Sequence, residues 1–367
     1  MTQPLTVYVD FKSPYAYLAI EPTRKMAREL DIEINWLPFV LDIPSYLGSA
    51  RLKKSGEVAE HSRSEEQWSG VKYAYYDCRR YANLRGLTIR GTVKIWDTNL
   101  AAIGMLWAKR QGDEILQRYI DGIYVPFWKR ELDVEDIAVI EAVLTGSGAD
   151  VLGFEEFALG EGALENEQLQ SNAFDQGVFG VPTYVVGEEV YFGREHLPRI
   201  HWQLQGQPGS APDIAYQLLP DDSVELLEFE TLEVGICLSD PESHQVIARV
   251  LSMSADLGLK VIWYELPERK VASQPSADDL SRGARHRRYR ADYRARDAQR
   301  YVPSIVSDEE VESQTRKLLH DHNIALRSDG LSGIGYLHNA VFRLGEETYI
   351  GRQHLPLIRA QLQKSKR

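Results

Sequence analysis

Ser13 and Pro14 stand where one periodic pattern gives way to another. Before them, Leu5, Val7 and Val9 alternate with smaller or polar residues, the period of a strand. After them, Tyr17, Leu18, Ile20, Met26 and Leu30 recur at helical spacing. Serine is a favoured N-cap and proline a favoured first helical residue, so a helix is expected to open here. Its N-terminus carries unpaired N–H groups and partial positive charge. The hydroxyl has two readings that can coexist. It caps the helix, or it also donates to a bound thiolate, since a thiol becomes a good nucleophile only on losing its proton. The chain's own thiols are ill suited to that chemistry. Its two cysteines, Cys78 and Cys237, form no C-x-x-C pair, which excludes a dithiol redox centre and a cysteine zinc cluster.

The elements around Ser13 read as strand, helix and strand, the second strand carried by Ile32, Ile34 and Trp36. Helical patterns follow over Trp68 to Leu84, Asn99 to Tyr119 and Glu135 to Leu144. Then Val178-Phe179-Gly180-Val181-Pro182-Thr183-Tyr184-Val185-Val186 leads through a Gly187-Glu188 turn into Val190-Tyr191-Phe192, a β-hairpin. A last helix is expected from near Arg194. The order βαβ, helical insertion, ββα is that of a thioredoxin fold with helices inserted between its halves.

The chain also repeats itself. GEEVYFGREHLPRIHWQLQ at 187–205 matches GEETYIGRQHLPLIRAQLQ at 345–363 without gaps, at an offset of 158. LTVYVDFKSPY from Leu5 faces LEVGICLSDPE from Leu232, at 227. A middle block sets Lys72-Tyr73 and Ala82 against Arg288-Tyr289 and Ala298, at 216. On these offsets the second copy lacks 11 residues before the middle block and 58 after it. The expected organisation is α/β: tandem thioredoxin-like domains, the first (1–206) with an inserted α-helical subdomain, the second (231–367) trimmed. A linker is placed at 207–230, where GQPGSAPD and PDDS supply turn residues. Ser13 faces Asp240 and Pro182 faces Ala340, and a carboxylate would repel a thiolate. The second copy is therefore read as lacking this chemistry. Val302-Pro303-Ser304 imitates Val181-Pro182-Thr183, but the residues after it read as a helix. His196 and His354 recur in both copies and are read as structural.

With 367 residues, 43% of them apolar, two domains are the natural prior. The net charge of −12 argues against general nucleic-acid binding. The basic run SRGARHRRYRADYRARDAQR at 281–300 stands out in so acidic a chain. It is read as a solvated helix, with an anion- or partner-binding patch as the alternative. No apolar run is long enough to cross a bilayer, and the first residues lack the layout of a signal peptide. A cytoplasmic protein is expected.

Two motifs carry a resemblance to a known family: Asp10-Phe11-Lys12-Ser13-Pro14-Tyr15-Ala16-Tyr17-Leu18, and Gly177 to Thr183 followed by Phe192-Gly193. Together they resemble the 2-hydroxychromene-2-carboxylate isomerase and kappa-class glutathione transferase type within the DsbA-like thioredoxins, over residues 5–204. The resemblance implies a glutathione-dependent enzyme acting on a small, possibly aromatic, electrophile. Ser13 would be the catalytic group, hydrogen-bonded to the glutathione sulfur. Pro182 would be cis, with Val181 pairing the ligand backbone like an added strand. Glu195 and Arg194 stand where the family holds the γ-glutamyl end, usually with a small polar residue and an aspartate. IPSYLGSA, within 42–50, has no asparagine where the family usually has one, so glutathione and another thiol both stay open. Lys53, Lys54 and Lys72 are basic candidates for ligand carboxylates. Phe11, Tyr15, Tyr17, Trp96 and Asn99 are candidates for the substrate pocket, the aromatics being core residues on the other reading. The resemblance implies no metal, and either a homodimer or a monomer with an internal pseudo-dimer. A DsbA-type disulfide oxidoreductase and a non-catalytic binding protein are the competing classes.

Overall fold

A computed structural model of the chain describes residues 5–52, 58–268, 275–302, 308–328, 331 and 340–363. The chain divides into two compact units, Met1–Pro212 and Asp213–Arg367. The second unit thus begins well before 231. Asp213 accepts hydrogen bonds from Arg352 Nε at 3.0 and 3.1 Å. The Tyr216 and Leu227 amides donate to the carbonyls of Gln353 and Gln361. Most of the expected linker is therefore tied into the second unit.

In the first unit β1 (Leu5–Val9), α1 (Pro14–Leu30) and β2 (Ile34–Pro38) form the opening βαβ. After α2 (Ile43–Leu47) and the small hairpin β3 (Ala50–Leu52) and β4 (Val58–His61) come six further helices before the sheet resumes. These are the helices α3 (Glu65–Leu84), α4 (Asn99–Arg110), α5 (Asp113–Trp128), α6 (Ile137–Gly146), α7 (Phe154–Leu159) and α8 (Glu161–Asp175). The unit closes with β5 (Thr183–Val186), β6 (Glu189–Phe192), a 3-10 turn (Arg194–His196) and α9 (Leu197–Leu204). The sheet order is β2-β1-β5-β6, with β2 parallel and β5 antiparallel to β1. Leu5, Val7 and Val9 are buried, as a central strand requires. The single helix expected over Asn99 to Tyr119 is two, α4 and α5. They part at Gly112, whose φ of +121° suits glycine and breaks the helical path.

The second unit contains β7 (Thr231–Ile236), α10 (Pro241–Leu257), β8 (Lys260–Glu265), α11 (Arg282–Tyr301), α12 (Asp308–Asp321) and β9 (Leu326–Arg327). It ends with β10 (Val341–Leu344), β11 (Glu347–Ile350), a 3-10 turn (Arg352–His354) and α13 (Leu355–Leu362). Its sheet order is β11-β10-β7-β8-β9, so β9 extends the shared four-strand pattern by one. The basic run forms α11. Arg288 there donates to the carbonyls of Ser276 and Asp279, and Arg300 pairs with Asp297. Of the imitation motif, Pro303 and Ser304 lie outside the described residues; α12 is the helix expected after it.

The two sheets agree pair by pair. Leu5 faces Ile34 as Leu232 faces Val261, and Val7 faces Tyr184 as Val234 faces Phe342. The outer hairpins agree too, Thr183 facing Phe192 as Val341 faces Ile350. These are the offsets 227 and 158. The middle offset needs correction. On α3, Asp77 pairs with Arg80 at 2.9 Å, and Arg194 lies over the Tyr81 ring at 4.5 Å. On α11, Asp297 pairs with Arg300 at 2.7 Å, and Arg352 lies over Tyr301 at 5.3 Å. Asp77-x-x-Arg80-Tyr81 thus corresponds to Asp297-x-x-Arg300-Tyr301, at offset 220 and not 216. A slip of four residues is close to one helical turn, so it leaves the same face inward and escapes a pattern-based alignment. On this register the second unit is shorter by 7 residues before α11 and by 62 after it.

Candidate active site

The site is built on the turn between β1 and α1. The Ser13 amide donates to the Asp10 carbonyl at 3.0 Å, which closes the turn. Ser13 has extended backbone angles and its Oγ accepts from the Ala16 amide at 3.2 Å, so it is the N-cap of α1. The same Oγ reaches the Val181 carbonyl at 3.5 Å. That separation exceeds a good O–H···O distance, so the hydroxyl proton is weakly held and can turn to a stronger acceptor. The Val181–Pro182 peptide is cis, as the motif implied. The Pro182 carbonyl accepts from the Gly193 amide at 2.9 Å, tying the start of β5 to the turn after β6. Gly180 lies so close to Phe192 that a Cβ there would be 2.6 Å from the ring.

Asp10 fixes this turn from beneath. Its side chain is buried and accepts from the Lys12 amide at 3.2 Å, the Thr98 hydroxyl at 2.7 Å and the Leu41 amide at 2.7 Å. The Tyr124 hydroxyl donates to its carbonyl at 3.0 Å. The loop before α4, the loop after β2 and helix α5 therefore all converge on one residue. The Lys12 ammonium is also buried, 3.6 Å from Asp10 Oδ2 and 3.3 Å from the Trp96 carbonyl. The motif reading passed over both Asp10 and Lys12. The available signal was a pair of opposite charges inside an otherwise apolar strand-to-helix junction.

Several expected site residues do something else. Phe11 is core: it packs edge-on against Tyr119 and tilted against Tyr124, with centroids 6.0 and 4.9 Å away. Tyr17 likewise stacks on Tyr124, and burial pushes its hydroxyl up to about 12. Arg194 is buried, with its guanidinium over the Tyr81 ring. Its counterpart Arg352 is buried in the same way in a unit that lacks Ser13 and Pro182. Asn99 opens α4, donating to Asp97 and accepting from Asn166, so its amide is engaged within the helices. Lys72 is exposed on α3. Lys53 and Lys54 lie outside the described residues. Glu195 is half-buried, its carboxylate folded over Gly193, where a Cβ would clash with it. Tyr15, on the first turn of α1, is half-buried and hydrogen-bonds to Cys78. Trp96 is half-buried between Phe127 and the Lys94 ammonium, which lies 4.3 Å from its ring centre. His196 and His354 are buried against Tyr191 and Tyr349.

The titratable groups nearby are shaped by burial. Asp77 is pushed up to about 6 by desolvation, with the Arg80 and Arg194 charges pulling the other way. Burial pushes the Cys78 thiol up, and the Asp77 charge adds to it, which makes that thiol inert.

The DSBA-like thioredoxin domain matches residues 4–205, more than half of the chain. The chain belongs to the DSBA-like thioredoxin family. Among its relatives, a 2-hydroxychromene-2-carboxylate isomerase of Sphingobium xenophagum is 27% identical over 202 residues, covering 54% of this chain and 95% of that protein. An enzyme of the same name from Pseudomonas putida is 25% identical over 193 residues, covering 52% and 88%. Among solved structures, a 2-hydroxychromene-2-carboxylate isomerase is 22% identical with a TM-score of 0.41, covering 55% of this chain and 92% of its own. A probable DsbA oxidoreductase of Streptomyces coelicolor is 18% identical with a TM-score of 0.43, covering 59% and 97%. This DSBA-like chain thus spans nearly the whole of its isomerase-named relatives with about half its length.

In the second unit the same turn closes without these groups. The Asp240 amide donates to the Cys237 carbonyl at 3.2 Å, and the Gly351 amide to the Ala340 carbonyl at 2.8 Å. Asp240 stands for Ser13, Cys237 for Asp10, Ser239 for Lys12 and Ala340 for Pro182. Among the described residues no helix is long and apolar enough to cross a membrane.

Proposed function

We propose that the first unit is a thiol-dependent isomerase or transferase site, with glutathione as the thiol and a small conjugated carboxylic acid as the substrate class. The observation that carries this reading is the Ser13 hydroxyl, which caps α1 and is held only loosely, at 3.5 Å, by the Val181 carbonyl. The isomerase names of the relatives support it. The absence of a C-x-x-C pair weighs against disulfide exchange.

The residues fit the sulfur end of glutathione better than its carboxylate ends. Ser13 offers one hydroxyl donor beside the positive end of α1. Val181 offers backbone polar groups for an extended ligand. Glu195 offers a carboxylate for the ligand's ammonium. Arg194 is engaged in the interior, which leaves the ligand's carboxylates to other groups. A bound thiol supplies a nucleophilic sulfur that can add to a conjugated carbon and leave it again. The chain's part is to stabilise that sulfur as an anion, orient it against β5, and hold the acceptor beside it. The second unit has Asp240 and Ala340 at the equivalent positions, and we read it as non-catalytic; its shared strand register supports descent from a duplicated domain.

Calorimetry with glutathione, together with ultraviolet titration of the bound thiol, tests the reading. Wild type should bind glutathione with its thiol pKa lowered by about one unit or more, and Ser13→Ala should return it toward its ordinary value. Wild type that does not bind glutathione would sink the proposal.

A further inference from the structure

We infer that Lys12 is the residue that binds the carboxylate of the acceptor substrate. The identity of that substrate class rests on the function proposed above; the anion site itself rests on geometry. Lys12 adjoins Ser13, yet its side chain is only 6% exposed. A lysine ammonium has three donors. Among the described residues they meet one hydrogen bond, a long one at 3.3 Å to the Trp96 carbonyl, and one ion-pair contact at 3.6 Å to Asp10. Removing an ammonium from water is costly, and such a loose set of partners compensates poorly. Asp10, by contrast, has three hydrogen bonds from other donors and does not depend on the ammonium.

The second unit shows that the fold does not require this pair. There the turn closes through the same amide-to-carbonyl hydrogen bond, with Cys237 and Ser239 in place of Asp10 and Lys12, their Sγ and Oγ 3.5 Å apart. The buried cation accompanies Ser13 and Pro182, and is absent where they are absent. Its ammonium reaches the Trp96 carbonyl, whereas the Ser13 hydroxyl reaches the Val181 carbonyl, and on that difference we assign Lys12 to the second ligand and not to the thiol. An anionic oxygen arriving there would fill the open donor positions and complete the ammonium's shell with a short, charge-assisted bond.

The test uses the full chain without thiol, with 2-hydroxychromene-2-carboxylate as the probe, by calorimetry on wild type, Lys12→Met and Lys12→Arg. The expected result is binding to wild type, weakened at least tenfold in Lys12→Met and held within about threefold in Lys12→Arg, with all three giving the same near-ultraviolet circular dichroism. Glutathione affinity and thiol pKa should be the same in wild type and Lys12→Met. Failure of wild type to bind the probe, or equal binding by Lys12→Met, overturns the assignment. So does a shifted thiol pKa in Lys12→Met, which would give Lys12 to the sulfur instead. Because the probe is measured without thiol, a chain that binds it but not glutathione would refute the proposed function and leave the Lys12 site standing.

Discussion

Replacing Asp77 with asparagine should flatten a specific part of the stability–pH profile. Asp77 is buried between Arg80 and Arg194, and desolvation raises its carboxyl from 3.8 to about 6 in the folded chain. Between these values the folded state holds a proton that the unfolded state has released. Stability from this group is therefore fully present below about pH 3.8 and is lost as the pH rises through about 6. At about 1.4 kcal/mol per unit, the loss is at most about 3 kcal/mol by pH 7. Asparagine keeps a side-chain acceptor for Arg80 but has no proton to release. Urea unfolding should be followed from pH 4.5 to 7.5 by tryptophan fluorescence. That signal reports mainly the first unit, which holds six of the seven tryptophans. Stability of wild type minus that of Asp77→Asn should fall across the window. A difference that stays flat, or rises with pH, would refute the account of this cluster as a charge buried at a cost.

Two further outcomes follow from packing. Gly180→Ala places a methyl 2.6 Å from the Phe192 ring and should destabilise the first unit by about 1–3 kcal/mol, checked by urea midpoint. Iodoacetamide labelling of the native chain, read by mass spectrometry, should modify the half-buried Cys237 well before the fully buried Cys78; equal rates would contradict the burial of α3.

What could be read from the sequence, and what could not, divides along physical lines. Alternation in Leu5 to Val9, the Ser13-Pro14 cap and the Val181-Pro182 hairpin are local signals, and each marks its element in the structure. The break at Gly112 was missed because the apolar spacing runs on through it. The roles of Phe11 and Arg194 stay open in the sequence for another reason. An aromatic or a guanidinium carries no local mark of whether it faces a pocket or a core, and only α5 and α3, packed from far along the chain, decide that. Asp10 was legible as part of a motif but not as the residue on which the Lys12, Leu41 and Thr98 donors meet, because those partners lie up to 88 residues away.

The two units together separate what the fold needs from what a site needs. Arg194 over Tyr81 beside the Asp77–Arg80 pair, and Arg352 over Tyr301 beside Asp297–Arg300, occur in both. A feature kept in a unit without Ser13 and Pro182 is explained by packing: it joins the long helix to the turn that opens the last one. The buried Lys12–Asp10 pair meets the opposite condition. It occurs in the first unit alone, at a turn that the second unit closes without it. A buried ion pair is weak evidence of a gain in stability, since apolar or neutral replacements are often as stable. Its restriction to the turn that carries Ser13 is therefore better explained by a ligand than by folding. The same reasoning moves Arg194 out of the candidate site and Lys12 into it, although the motif reading names Arg194 and gives Lys12 no role.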